Sequence, residues 1–367
     1  MQHPTFSESY AQARERFLRG AADAGAAVES HPLALRGPER EVLAVDVARL
    51  GPADATRWVV VSSGLHGIEG YLGSALQLSL LRGLPGGALP EDTGLLLLHA
   101  LNPYGFAWTR RFDQNNVDLN RNFLLPGQAF TGAPEGYELV SDLLNPERAP
   151  RRVSAFRLRA ALKIAQHGFS TLKAAVAGGQ YVHPRGLFFG GHRPAPTQTL
   201  LAAELPRLLA AAQRVVHLDL HTGLGARADY ALLLDCDPDD PRVAQLTARF
   251  GSKVEGWDAA GTAYVVRGGL GPWCEALLPQ TDYTFFTAEF GTVPPLQVIE
   301  ALHLENRAHH WGAPHAASTQ RAKALLRKAF APRDPRWRAD SLHRARGIVE
   351  QAFASLSADP SPALATA

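Results

Sequence analysis

RWVVVSSGLHGIEG, residues 57–70, decides the fold. Val59, Val60 and Val61 form a β-branched run with no polar interruption, as expected of a strand buried on both faces of a parallel sheet. The run stops at Ser62-Ser63-Gly64 and leads into EGYLGSALQLSLLRG (69–83), whose apolar spacing predicts a helix. Strand, tight turn and helix in that order begin an α/β unit.

The same pattern recurs along the chain. GLLLLHALNPYG (94–105) predicts a second buried strand ending in an Asn-Pro turn, QRVVHLDLHTG (213–223) a third and DYTFFTAEFGT (282–292) a fourth. Upstream, 7–28 reads as an Ala- and Arg-rich helix and 41–48 as a strand with alternating apolar positions. Downstream, 296–330 and 337–357 read as helical, and the tail 358–367 as a disordered end. Residues 126–212 break the rhythm with a Gly/Pro-rich loop, basic helical segments near 151–177 and the run GGQYVHPRGLFFGGHRPAP. They read as an insertion that shapes a pocket within a single domain spanning 1–357. No internal repeat is visible.

Composition excludes several classes. The 367 residues are 46% hydrophobic and 20% charged, which suits a globular chain with a large core, and a formal charge of +2 gives no reason to expect nucleic acid or an anionic membrane as partner. Cys236 and Cys274 are too few for a disulfide framework or a thiolate-rich metal site. The N-terminus lacks an apolar signal core, and the longest strongly apolar runs, such as Leu95–Leu98, have strand length. A cytoplasmic protein is expected; the sequence leaves open whether it is an oligomer.

His66 and Glu69 stand three apart after one strand end, His221 follows another, and Glu289 closes a third. Alone, the His-x-x-Glu pair is weak, since a chain with 14 histidines produces such a pair readily by chance. Its position strengthens it. Open parallel sheets bind ligands at the carboxyl ends of their strands, and all four side chains map to that edge. Two imidazoles and a carboxylate suit one Zn²⁺ with a coordination position left open. Glu289 is then available as a base.

The most specific stretch is NPYGFAWTRRFDQNNVDLNRNF (102–123). HxxE, NPxGF, DLNRNF, LH after a strand and a late Glu on a strand, in this order, resemble the zinc metallocarboxypeptidases of the carboxypeptidase A type. The short spacing from Arg to DLNR and the DLHTG and EFG turns look more like the aspartoacylase and succinylglutamate desuccinylase branch. They are most similar to a bacterial carboxypeptidase-like group of undefined substrate. The resemblance covers roughly 55–125 and 213–295.

It implies a three-layer α/β/α fold around a mainly parallel mixed sheet (phosphorylase/hydrolase-like). It also implies one zinc per chain on His66, Glu69 and His221, with Asp118 hydrogen-bonded to the first histidine. Asn120 and Arg121 match the pair that grips a substrate carboxylate, and Arg111 the arginine that stabilises the oxyanion, although Arg110 is its neighbour and rival. Glu289 matches the general base. Digestive carboxypeptidases place a mobile tyrosine over the substrate; Tyr264, 25 residues before Glu289, is the candidate here, with Tyr181 and Tyr283 as rivals, and each reads more readily as a buried structural tyrosine. The family's NPDG appears as Asn102-Pro103-Tyr104-Gly105, which implies different packing at that turn.

Other residues have plainer readings. Asp219 shares a strand face with His221 and reads equally as a site residue or a strand-end partner. His217 reads as a core histidine, His309 and His310 as surface residues, and GGLGPW (268–273) as a plain loop. Arg151, Arg152, Arg157 and Arg159 read as a solvated helix face. The implied activity is hydrolysis of an amide beside a free carboxylate, in a small peptide or in an N-acyl amino acid. A carboxylate-binding protein on the same scaffold is the competing class, and the filled metal and base positions speak against it.

Overall fold

The computed structural model describes residues 4–357 except 152–153, 169–170, 173–174, 177 and 257–265. An eight-stranded mixed sheet runs through it. The strands are β1 (Ala27–Arg36), β2 (Val42–Leu50), β3 (Arg57–Ser63), β4 (Thr93–His99), β5 (Arg214–Gly223), β6 (Tyr230–Leu233), β7 (Val254–Glu255) and β8 (Asp282–Gly291). Their order is β1-β2-β4-β3-β5-β8-β6-β7, and the central four, β4-β3-β5-β8, are parallel. These are the four strands the sequence predicts as buried runs.

Alternation along the strands builds two cores. Val59 and Val61 face one side, with Leu95, Leu97, Val216 and Leu218, against the helices Gly70–Arg82 and Pro335–Ser357. Trp58 and Val60 face the other, with Leu96, Leu98 and Val215, against Pro196–Leu208 and Leu270–Leu277. Each such side chain, wholly removed from water, contributes roughly 1.5–3 kcal/mol before the entropy of ordering is counted. The result is the three-layer α/β/α arrangement. A third cluster lies over the carboxyl ends of the strands and includes Phe106, Phe112, Leu143, Leu144, Phe156, Val298, Leu302 and Phe330.

Several expectations are corrected. The first helix ends at Asp23, and the residues after it turn into the edge strand β1, whose Pro32 is tolerated because one side of an edge strand needs no ladder donor. β6 and β7 were not expected either; they are short and carry no long apolar run. Helix Pro196–Leu208, placed by sequence in the insertion, belongs to the outer layer of the domain through Leu201, Leu205 and Leu208. The GGLGPW stretch is not a plain loop, because Leu270 opens the helix Leu270–Leu277 with Gly269 at its N-cap. The stretch 296–330 is two helices, Pro295–Trp311 and Ala317–Phe330. The tail 358–367 lies outside the described residues.

One glycine explains how two of the sequence motifs meet. A Cβ on Gly67 would fall 2.1 Å from the carbonyl carbon of Gly105, so the turn after His66 and the Asn-Pro-Tyr-Gly turn pack backbone on backbone. Asn102 fixes the second turn: its Oδ1 accepts from the Gly105 amide at 2.8 Å, and its Nδ2 donates to the Arg111 carbonyl at 3.1 Å.

Candidate active site

Strand register brings the distant residues together. β5 pairs with β8 so that His221 stands beside Glu289, and with β3 so that Asp219 stands beside Ser62. His66 and Glu69 follow the end of β3, where a short 3-10 turn, Gly67–Glu69, enters the helix.

His66 Nδ1 lies 3.1 Å from His221 Nδ1 and 3.1 Å from Glu69 Oε1, and His221 Nδ1 lies 3.2 Å from Glu69 Oε2. Sharing an ion at bonds near 2.1 Å requires the imidazoles to come within about 5 Å of each other, and they do. One ligand atom from each of the three residues lies within 4.8 Å of the others, and all three residues are buried.

Each outward nitrogen faces a carboxylate, and that of His66 faces the Arg111 guanidinium as well. His66 Nε2 is 3.0 Å from Asp118 Oδ1, and His221 Nε2 is 2.6 Å from Asp219 Oδ2. At His221 the carboxylate favours the tautomer with its proton on Nε2, which leaves the Nδ1 lone pair pointing inward; at His66 Asp118 favours the same tautomer and the Arg111 guanidinium opposes it. Three electron-rich atoms then converge, an arrangement stable only with positive charge among them.

The electrostatics agree. Burial opposes ionisation of Glu69, but the charge of His66 and the hydrogen bond from His221 outweigh it and hold the carboxyl far below its usual range. Burial likewise opposes a charge on His221, yet Asp219 raises its affinity for a proton well above normal. Asp118 is held low against burial by Arg111, His66 and Arg121.

Arg111 enters this ring of charge. Its Nε donates to Asp118 Oδ2 at 2.9 Å and its Nη1 to Glu69 Oε1 at 3.0 Å, while Nη2 sits 2.7 Å from His66 Nε2. Arg110 turns away. Its guanidinium is fully buried against Glu305 (3.0 Å), Asn116 (2.8 Å) and Asn306 (3.1 Å), and Lys323 binds the same Glu305 at 2.6 Å. This ionic cluster pins the Arg111-bearing loop to the two helices behind it. Sequence reading missed Glu305; the signal was an acid between the leucines and Asn306 of the helical stretch ALHLEN.

Glu289 accepts from the Leu224 amide through Oε1 at 2.9 Å. Burial and the negative Glu69 push its carboxyl up to about 7. A cavity of about 520 Å³ opens over the group and is lined by His66, Glu69, Arg111, His221 and Glu289. Asn120 lines it as well, with Oδ1 accepting from the Leu270 amide at 3.0 Å.

Arg121 departs from expectation. It is fully buried and not among the cavity-lining residues; its Nη1 donates to the Asn120 carbonyl at 2.7 Å, and its stem packs where a Cβ on Gly179 would fall 2.4 Å from Cδ. It supports the floor rather than facing the cavity. Tyr264 lies outside the described residues. Tyr181 and Tyr283 are buried; Tyr181 donates to the Arg121 carbonyl at 2.7 Å, and Tyr283 meets His217 at 2.8 Å. His217 is a core residue, 2.8 Å from Ser62 Oγ. His309 and His310 are half-buried rather than on the surface, because the last turn of their helix packs near Arg110 and Glu305. Arg157 and Arg159 pair with Glu300 and Asp142 on the exterior, Arg151 is exposed, and Arg152 lies outside the described residues.

Residues 6–344 match the family described as protein of unknown function (DUF2817). The chain belongs to the DUF2817 family. No curated protein matches its sequence. Among solved structures, this DUF2817 chain is similar to bovine thrombin-activatable fibrinolysis inhibitor in complex with tick carboxypeptidase inhibitor, at 12% identity over 97% of each chain and a TM-score of 0.50. It also matches carboxypeptidase A from Helicoverpa armigera, at 13% identity, 88% of this chain, 74% of the other and a TM-score of 0.46. A third match is succinylglutamate desuccinylase/aspartoacylase from Rhodobacter sphaeroides, at 15% identity, 78% and 65% coverage and a TM-score of 0.37. At these identities the likeness is one of fold, and the fold of this DUF2817 member is carboxypeptidase-like. Among the described residues no helix is long and apolar enough to cross a membrane.

Proposed function

We propose that the chain is a zinc-dependent hydrolase that cleaves an amide bond next to a free carboxylate. The observation that carries this reading is the convergence of His66 Nδ1, His221 Nδ1 and a Glu69 oxygen, each imidazole backed by its own carboxylate, with Glu289 on the adjacent strand. Two nitrogens and a carboxylate oxygen in a buried cluster are the donor set of a catalytic zinc with an open position. When bound there, zinc would polarise the scissile carbonyl and make water a nucleophile near neutral pH.

The chain's own groups would do the rest. Glu289, on the strand beside His221, would take the proton of the attacking water and return it to the leaving nitrogen. Arg111 is held at the cavity wall by Asp118 and offers its guanidinium to the charge that develops on the carbonyl oxygen. Asn120 is the lining residue placed to meet a substrate carboxylate: its Oδ1 is engaged by Leu270, so its Nδ2 is the donor offered. A carboxylate grip through Arg121 would require that side chain to swing out of its buried place.

Peptide and N-acyl amino acid substrates would use the same machinery. The test is metal content and turnover of purified protein, with peptides carrying free or blocked C-termini set against N-acyl amino acids. About one equivalent of zinc, loss of activity with a chelator and its return on adding zinc are expected. Zinc below about a tenth of an equivalent, with no turnover after metal is added, would favour a binding protein instead.

A further inference from the structure

Two stretches of the cavity wall differ. Around Asn120 and Gly269 lie Asp235 and Val266. Another stretch, the arm, is supplied by the helices of the 126–212 segment and the helix Pro295–Trp311. There its wall is Val140, Leu143, Phe156, Ala160, Val298 and Leu302, with Phe188 beneath Arg111 at 5.6 Å from guanidinium carbon to ring centre.

Lys163 is the one charged side chain in that arm among the described residues. Its Nζ is turned outward to the Leu139 carbonyl at 2.5 Å and the Asp142 carboxylate at 3.5 Å, so only its methylenes are presented inward.

We propose that this arm holds the hydrocarbon chain of an acyl group, so that the amide cleaved is that of a medium- or long-chain fatty acyl amino acid. This rests on the hydrolase reading above. Polarity selects the occupant. A peptide on the carbonyl side of the scissile bond brings an N–H and a C=O with every residue, and among the described residues the apolar side chains of the arm offer these groups no partner. An alkyl chain has no such groups, and each methylene it buries is favourable. Size agrees: against a water's share of roughly 30 Å³ of liquid volume, the 520 Å³ cavity admits an amino acid and a chain of several carbons. The reaction balances with water alone. The amide C–N bond breaks and a C–O bond forms. One proton of the water passes through Glu289 to the leaving nitrogen, giving a fatty acid and a free amino acid.

The test uses the zinc-loaded full chain and N-acetyl, N-octanoyl and N-dodecanoyl derivatives of one panel of amino acids. A buried methylene at about 0.8 kcal/mol is worth about fourfold, so kcat/KM is expected to rise at least a hundredfold from acetyl to octanoyl. Ala160→Phe, which narrows the arm, should cut the dodecanoyl-to-acetyl ratio about tenfold or more. Leu296→Gln, at the partly exposed rim and so mild for folding, should lower it in the same direction. A separate readout needs no turnover: laurate should bind the Glu289→Gln protein in calorimetry with a negative heat-capacity change. Amide hydrolysis that is indifferent to chain length, together with no laurate binding, overturns the acyl arm and leaves the hydrolase standing. Laurate binding with no amide hydrolysed keeps the arm and sinks the hydrolase reading.

Discussion

His221 Nε2 lies 2.6 Å from Asp219 Oδ2, two residues back on the same face of β5, and Asp219 is itself held by Ser62 Oγ at 2.6 Å. The pairing mirrors that of His66 with Asp118, so both imidazoles are oriented by buried carboxylates. If Asp219 sets the tautomer of His221, Asp219→Asn should weaken zinc binding about 10- to 100-fold with the fold intact. Competition with a coloured chelator measures this. Unchanged affinity would make Asp219 a strand-end partner only, the other role its sequence position allows.

Glu289→Gln keeps the shape of the side chain and removes its capacity to carry a proton. The variant should retain zinc while kcat falls by roughly 10²- to 10⁴-fold. Metal content and turnover measured on the same preparation check this. Near-normal turnover would assign the base to another group.

Much of this arrangement was legible in the sequence, for a physical reason. The proposed metal ligands and base sit at the ends of buried strands, and such strands announce both themselves and the edge where they stop. His66, His221 and Glu289 could therefore be placed on one rim without coordinates. Side-chain direction was harder to read. Arg110 and Arg111 are adjacent, and only the distant partner Glu305 decides which one turns inward. Arg121 reads as a pocket residue by motif, yet Gly179 and the loop around it close over its stem. The apolar arm could not be read at all, because Val140, Phe156 and Val298 look like ordinary core residues until the helices that carry them are packed together.

The burial of Arg121 reverses the expectation for its removal. Had it gripped the substrate, Arg121→Ala would mainly raise KM for carboxylate substrates. From its buried place, where it helps to hold Asp118 ionised, its loss should lower stability by on the order of 3 kcal/mol and leave KM little changed. Denaturant unfolding and kinetics on one sample separate the two outcomes. A raised KM at unchanged stability would restore the carboxylate grip.

Acid should weaken the fold through buried histidines. Burial pushes His99, His217 and His303 each down to about 4, from an ordinary value of 6.5. In the unfolded chain they take up protons from about pH 6.5 downward, whereas in the folded protein they resist until about pH 4. Their contribution to stability is therefore complete above pH 6.5 and declines as the pH falls through that window. Each costs about 1.4 kcal/mol per pH unit where only the unfolded state is protonated, as do His309 and His310, pushed down to about 3 and 4; the buried carboxyls of Asp113, Glu275 and Glu289, pushed up to about 6, 7 and 7, bind protons first in the folded state and offset part of that slope. Urea midpoints measured at pH 7.5, 6, 5 and 4.5 trace this slope. His217 meets Ser62 and Tyr283 at 2.8 Å each, and His217→Gln should remove its own share of the slope, about 1.4 kcal/mol per pH unit near pH 5. The same slope in the His217→Gln protein as in the unsubstituted one would mean that this ring already binds a proton in the folded state.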